Sequence, residues 1–184
     1  MSVSNPWKIT SSKIVYKNPW MRVQEDRVIT PTGKEGIYGY VLSNDSVIVA
    51  VLNDKHELFV VRGFSYPVAS WNWQLPGGGG DQEDAAIAAK RELEEETGIR
   101  AERWEKLGVT RVCDGFMRER MTTYLAQNIS FTGEKETSNE KITDGKFVPM
   151  PEVDAMIERG EINDGQSITA IYLAQKWLAK AGAN

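Results

Sequence analysis

The stretch Gly77–Ile99, GGGGDQEDAAIAAKRELEEETGI, decides how this chain is read. It sets five carboxylates, Glu83, Glu92, Glu94, Glu95 and Glu96, around a single arginine, Arg91. From Glu83 to Thr97 the residues are those of one helix. Ala85, Ala86, Ala88 and Ala89 permit close packing against a sheet, and Gly98 stands where a helix ends. The acids gather at the wrong end of such a helix. Its C-terminus already carries partial negative charge, so each further carboxylate there costs about 0.3–1 kcal/mol. Glu92 and Glu96 share a face, and Glu95 lies one turn from Glu92, so the three also repel one another. Such a concentration calls for a counter-charge. Hard divalent cations take oxygen ligands, and Mg²⁺ in particular takes a few carboxylates, keeps waters and bridges to substrate phosphates. The competing reading is an acidic, solvated helix face that ends at Gly98.

Upstream of the glycines the pattern is one of strands. SSKIVYKN, WMRVQEDRVIT and GIYGYVL alternate apolar and polar residues, and Pro31-Thr32-Gly33-Lys34 reads as a hairpin turn between the last two. Residues 46–52 and 57–62 are richer in Val and Leu and read as buried strands joined by a turn at Asn53-Asp54. Downstream, strands are expected at about 103–113 and 119–128, and a polar loop over 129–143. GKFVPM leads into a helix over 151–159, with Pro151 in its first turn and Gly160 after its end. A last helix over 165–181 places Ile168, Ile171, Tyr172, Trp177 and Leu178 at helical spacing along its packed face. Strands, then a helix, then strands, then helices give an α/β or α+β sandwich.

Composition narrows the chemistry. The 184 residues fit one domain with a small appendage. The net charge of −4 comes with no basic block, which argues against a nucleic-acid partner. A single cysteine and a single histidine rule out an internal disulfide and a Cys/His zinc cluster. Cys113, among Val109, Val112 and Phe116, is expected to be buried and inert, and His56 to lie exposed in a turn without a role. There is no membrane-spanning run and no signal-peptide pattern at the N-terminus, so no membrane partner is expected and cytoplasmic residence is the default.

The acidic helix closely resembles the box of the Nudix hydrolases, G-x5-E-x7-R-E-U-x-E-E-x-G-U, with U a bulky aliphatic residue. Gly77, Glu83, Arg91, Glu92, Leu93, Glu95, Glu96, Gly98 and Ile99 fill every fixed position. The resemblance implies an α/β/α sandwich with a mixed sheet, and a metal-dependent hydrolase that cuts a nucleoside diphosphate linked to another moiety. It makes Glu92 and Glu96 the principal metal ligands and Glu95 a third ligand or a base near the metal. Glu83 is either an acid favourable to the helix N-terminus or a distant ligand, and the carbonyl of Pro76 is a further ligand. Arg91 orients the box carboxylates, Glu94 points to solvent, and Leu93 and Ile99 anchor the helix. The glycines, Gly77 first, either bring backbone N–H groups to phosphate or permit a tight turn with positive φ.

The flanking residues resemble the ADP-ribose pyrophosphatase branch, which also processes other nucleoside diphosphate sugars. NPWMRVQEDRVITPTGKEGIYGYVL is similar to its N-terminal strands, VVRGFSYPV to its V-R-Q-[YF]-R-x-P element and WQLPGG to W-E-L-P-A-G. The branch implies an N-terminal antiparallel β extension over 1–42 that mediates a homodimer, and a hydrolase domain over 43–184. Arg62 matches an arginine that contacts the substrate. The second arginine of that element is Ser65 here, and the glutamate before Leu75 is Gln74. Trp20 and Tyr38 fall at positions that stack on the base, or are plain strand aromatics. Arg118 in GFMRER faces phosphate, with Glu119 keeping the acid of that pattern. Glu140, with Glu136 as runner-up, matches a catalytic base supplied by the loop after the box. The expected cofactor is Mg²⁺, with Mn²⁺ as substitute, and the expected activity is cleavage of ADP-ribose or a related nucleoside diphosphate sugar. The alternatives are a hydrolase of nucleoside triphosphates or other nucleotides, and a silent domain that only binds a nucleotide.

Overall fold

The structure, a computed structural model, describes residues 5–80, 83–132 and 142–182. The alternating N-terminal stretches form three antiparallel strands, β1 (Lys8–Lys17), β2 (Met21–Ile29) and β3 (Glu35–Ser43). The hairpin between β2 and β3 closes as expected. Gly33 donates its N–H to the Thr30 carbonyl at 2.9 Å and adopts φ +82°, which a side chain would strain. There follow β4 (Ser46–Val51), β5 (Leu58–Ser65), β6 (Ser70–Gln74), β7 (Gly77–Gly79), α1 (Ala85–Thr97), β8 (Ile99–Arg111), β9 (Met117–Arg118), β10 (Arg120–Phe131), β11 (Ile142–Val148), α2 (Met150–Glu158) and α3 (Gly165–Ala181).

These elements build two compact units. The first comprises Met1–Asn44 and Arg111–Glu119, the second Asp45–Thr110 and Arg120–Asn184. The first unit holds the sheet β1-β2-β3-β9, with β9 parallel to β3. Its strand β1 is exposed along its whole length, including Ile9, Ile14, Val15 and Tyr16. Between the strands Asp26 is buried. Hydrogen bonds from Ser12 and Gln24, with a third from Tyr40, hold its carboxyl below the usual carboxylate range against the opposing pull of burial. Burial, helped by the charge of Asp26, pushes the Tyr40 phenol up. The turn that carries Cys113 belongs to this unit, and the thiol is exposed rather than buried. Its apolar neighbours do not mark a core, since Val109 and Phe116 are exposed as well.

The second unit has two sheets, β7-β4-β10-β8 and β11-β5-β6. In the first, β4 runs parallel to β10 and antiparallel to β7, so the sheet is mixed. Residues Val47–Leu52 are all buried because both faces of β4 are covered. Val47, Val49 and Val51 pack with Ala88, Ala89 and Leu93 of α1. Ile48 and Ala50 alternate to the opposite face, and α3 packs against β4 and β10. Helix α3 spans the residues expected of it, but its buried stripe is Ser167, Ala170, Ile171 and Ala174, while Tyr172 is exposed. The small residues at 170 and 174 set the close approach and leave the tyrosine beside the contact. The turn after β4 is held by Asn53, whose side-chain oxygen accepts the N–H groups of Lys55 and Glu57, both at 2.9 Å. His56 lies exposed within it.

Candidate active site

Helix α1 begins at Ala85, two residues later than its composition implies, because Asp84 is its cap and accepts the N–H of Ala86 at 2.8 Å. Glu83 therefore lies before the helix, where its N–H donates to the Gly80 carbonyl at 2.8 Å. At the other end Gly98 takes the left-handed conformation (φ 67°) and donates to the Glu94 carbonyl. Leu93 and Ile99 are fully buried and fix the helix to the sheet.

The glycine run is not a loop of positive φ. Gly77–Gly79 form β7, antiparallel to the start of β4, and their need for glycine is one of close approach. A Cβ on Gly77 would lie 2.9 Å from the Ile48 Cα, and a Cβ on Gly78 would lie 2.6 Å from the Glu92 carboxylate. The Pro76 carbonyl accepts the N–H of Val49 at 2.9 Å and so takes part in the sheet.

Arg91 organises the acids. Its Nε donates to Glu83 Oε1 at 2.9 Å, its Nη1 to Glu92 Oε1 at 2.9 Å and Glu95 Oε2 at 3.0 Å, and its Nη2 to the Gly79 carbonyl at 3.2 Å. Burial alone would lower the pKa of the guanidinium. The hydrogen bonds of Glu83, Glu92 and Glu95 and the charge of Glu92 instead raise it above the usual arginine value. Eight residues separate Glu83 from Arg91, too many for neighbours on one helix face. The contact exists because Glu83 sits outside the helix, at the end of the glycine segment. Glu96, only 6% exposed, accepts the N–H of Gly77 at 2.9 Å. Glu94 turns away and pairs with Arg100.

Three carboxylates, Glu83, Glu92 and Glu95, thus meet one guanidinium, with Glu96 close by on the Gly77 N–H, and these five side chains together carry a formal charge of −3. The donors are all hard oxygens on adjacent turns, which fits divalent Mg²⁺ or Mn²⁺. Among the described residues no three acids converge as a finished cage, because Arg91 holds Glu83, Glu92 and Glu95 toward itself. Glu92, Glu95 and Glu96 are the carboxylates that could hold such a cation.

The other expected site residues divide between the units. Arg62 belongs to the same unit as the box. It is exposed on β5, with its guanidinium 5.8 Å from the centre of the Trp71 ring. Trp20, Tyr38 and Arg118 belong to the first unit. Trp20 is 77% exposed in the turn after β1. Tyr38 is tied down, its hydroxyl donating to the Gly115 carbonyl at 2.8 Å and its ring packed edge-on with Trp7 and Tyr40. Arg118 is exposed on β9. Glu136 and Glu140 lie outside the described residues. Two elements of the site escaped the sequence reading. Asp84 could have been seen as a cap, since an Asp directly before an Ala-rich helix is the usual signal. The bond from Arg91 to the Gly79 carbonyl has no sequence signal.

Comparison with known proteins bears on this arrangement directly. The family model of the NUDIX domain matches residues 42–170, and that of the nucleoside diphosphate sugar hydrolase N-terminal domain matches residues 7–41. The chain is 24% identical to the CMP-5'-(N-acetyl-N-hydroxy-3-aminopropyl)phosphonate hydrolase of Streptomyces rubellomurinus, over 88% of this chain and 79% of that protein. It is 25% identical to the ADP-ribose pyrophosphatase of Bacillus subtilis, over 91% and 92% of the two chains. A crystal structure of an ADP compounds hydrolase superposes with a TM-score of 0.87 at 18% identity, covering 99% of both chains, which supports the same fold. With the box residues assembled on α1 and β7 and the NUDIX match extending well beyond them, the chain belongs to the Nudix family of hydrolases.

Proposed function

We propose that the protein hydrolyses the diphosphate of ADP-ribose or a related nucleoside diphosphate sugar, releasing a nucleoside monophosphate and a sugar phosphate, with Mg²⁺ as cofactor and Mn²⁺ as a working substitute. The observation that carries this reading is the acid cluster of Glu83, Glu92, Glu95 and Glu96 gathered around Arg91 and packed against a strand of glycines. When bound, divalent cations supply charge neutralisation for the polyanionic substrate and a more acidic water. Glu92, Glu95 and Glu96 would hold them, and Arg91 keeps the first two carboxylates aligned with the Gly79 carbonyl. Glu83 fixes Arg91 from outside the helix. The cavity of about 140 Å³ that Gly77 and Gly78 line with Gln74, Asp164 and Gln166 is the space proposed for phosphate. In the reaction a water oxygen bonds to one phosphorus, the bridging P–O bond breaks, and a carboxylate takes the water proton. Glu140 is proposed for that base.

The B. subtilis relative acts on ADP-ribose and the S. rubellomurinus relative on a CMP-linked phosphonate, so the base is the open variable. A panel of adenine- and cytidine-linked diphosphate compounds with Mg²⁺, with products read by mass, tests the proposal. The expected result is nucleoside monophosphate plus the phosphorylated partner. Release of phosphate or pyrophosphate from triphosphates alone would favour the housekeeping alternative. No turnover of any nucleotide would favour a silent binder. The first unit is proposed as the homodimer element, since β1 offers an exposed edge with Ile9, Ile14, Val15 and Tyr16. Light scattering of the whole protein should give twice the chain mass.

A further inference from the structure

The segment between β6 and β7 carries the backbone from one sheet to the other. Strand β6 pairs with β5 in the β11-β5-β6 sheet, whereas β7 pairs with β4. Leu75 and Pro76 lie between the two ladders and belong to neither. Buried backbone groups at such a crossing need partners from elsewhere. Pro76 has no N–H, and its carbonyl accepts the Val49 N–H from β4. Leu75 is 3% exposed, so its N–H cannot turn to water. It donates to the Ser167 hydroxyl at 3.0 Å, on a residue 92 positions away.

Ser167 is also an odd residue for its place. It stands in the first turn of α3, in a buried stripe otherwise made of Ala170, Ile171 and Ala174. The residue is fully buried, and a hydroxyl there costs free energy unless it is bonded. Alanine would suit both the stripe and the helix better. Nor does the cap need this side chain, since Asp164 accepts the backbone N–H of Ser167, at 2.8 Å. What the hydroxyl does is hold Leu75.

Two residues further on, the same segment meets the box. The Gly77 N–H donates to Glu96 Oε2 at 2.9 Å. Leu75, Pro76 and Gly77 are thus tied in turn to α3, β4 and α1. Leu75 and Gly77 also line the cavity beside the box, with Asp164 and Gln166 from the start of α3.

We propose that Ser167 is a positioning residue for the metal-binding carboxylates: by holding Leu75 it aims the Gly77 N–H at Glu96 and orients that carboxylate before a cation arrives. This rests on the metal-dependent reading above. A carboxylate held on one oxygen has fewer orientations left, and the groups that hold a metal's ligands set its affinity. Without the hydroxyl, the buried Leu75 N–H loses its partner. The segment then shifts to satisfy it, and the Gly77 N–H moves off Glu96.

The test is Mn²⁺ titration of the whole protein without nucleotide, with free Mn²⁺ read by electron paramagnetic resonance. Ser167→Ala should weaken Mn²⁺ about fivefold, below the roughly 10–100-fold that a ligand's direct partners cost. It should also speed the amide hydrogen exchange of Gly77. Ser167→Cys fills nearly the same space with a poor acceptor and should lose affinity in the same way. Ile171→Val loosens the same face of α3 without touching the hydrogen bond, and should bind Mn²⁺ as wild type does. Affinity within about twofold of wild type in both Ser167 variants, or an equal loss in Ile171→Val, would overturn the positioning role. If wild type binds Mn²⁺ and the Ser167 variants match it, that role alone falls. If wild type binds no Mn²⁺, the metal-dependent reading falls and the role of Ser167 with it.

Discussion

Two regions of this molecule bury acid in opposite ways. In the N-terminal unit Asp26 sits between strands with hydrogen bonds from Ser12, Gln24 and Tyr40, neutral neighbours that satisfy its oxygens. In the box, Glu83, Glu92, Glu95 and Glu96 share one arginine and one backbone N–H and keep a formal charge of −3. The first arrangement is complete without any ion. Three of the second group, Glu92, Glu95 and Glu96, stand in the last two turns of a helix with no basic residue in its final turn, so for them the helix dipole adds to the repulsion. Stability would not select the second pattern. It is the mark of a site that waits for cations.

The contrast breaks most sharply at Glu96. Glu96→Gln should lower turnover by about two orders of magnitude or more, since even outer partners of a metal cost 10–100-fold. Its melting temperature should stay close to wild type in metal-free buffer, and near-normal turnover would refute the ligand assignment. Arg91→Gln removes the guanidinium that bonds Glu83, Glu92 and Glu95. It should lower the melting temperature without metal, and Mg²⁺ should then restore it by a larger increment than in wild type, read by calorimetry across a magnesium series. Equal increments would mean that Arg91 does not offset the acids.

Asp26 provides the pH test. Its folded-state pKa is depressed, so its contribution is present above the ordinary carboxylate value near about 4 and is lost as pH falls through the lower folded value. Urea unfolding from about pH 6 to 3 should show wild type losing its advantage over Asp26→Asn as the medium acidifies. A constant difference would show that the hydrogen bonds do not favour the charged form. Glu94→Gln should give the smallest effect. Its pair with Arg100 is exposed, and neither turnover nor melting temperature should move measurably.

Much of this was legible in the letters. The spacing of Gly77, Glu83, Arg91, Glu92, Glu95, Glu96 and Gly98 encodes a helix and its chemistry together, and the last helix occupies the residues 165–181 that its apolar spacing marks out. The β4 and β5 strands were visible as apolar runs. What the letters hide is contact between distant parts. Nothing in GGGG tells a turn from a strand, because both tolerate glycine; the antiparallel pairing of Gly77–Gly79 with the start of β4 decides it. Cys113 looks buried because apolar residues surround it in sequence, yet its segment joins the first unit. Glu83 and Arg91 look mispaired until the Asp84 cap shortens the helix between them. The exposed cluster of Phe64 and Trp71 is invisible for the same reason, since it needs the register of β5 against β6.

The parallel pairing of β4 with β10 has a consequence for how the enzyme comes to life. Asp45, just before β4, and Arg120, the first residue of β10, bond to each other and are 75 positions apart. Closing so long a span is slow, and a ribosome must deliver the chain past Ala126 before the pairing is complete. The glycine strand leans on β4, so the working arrangement of the acids rests on a sheet that is complete only once β10 has paired. Nascent fragments carrying the entire box should therefore remain inert toward cellular nucleotides.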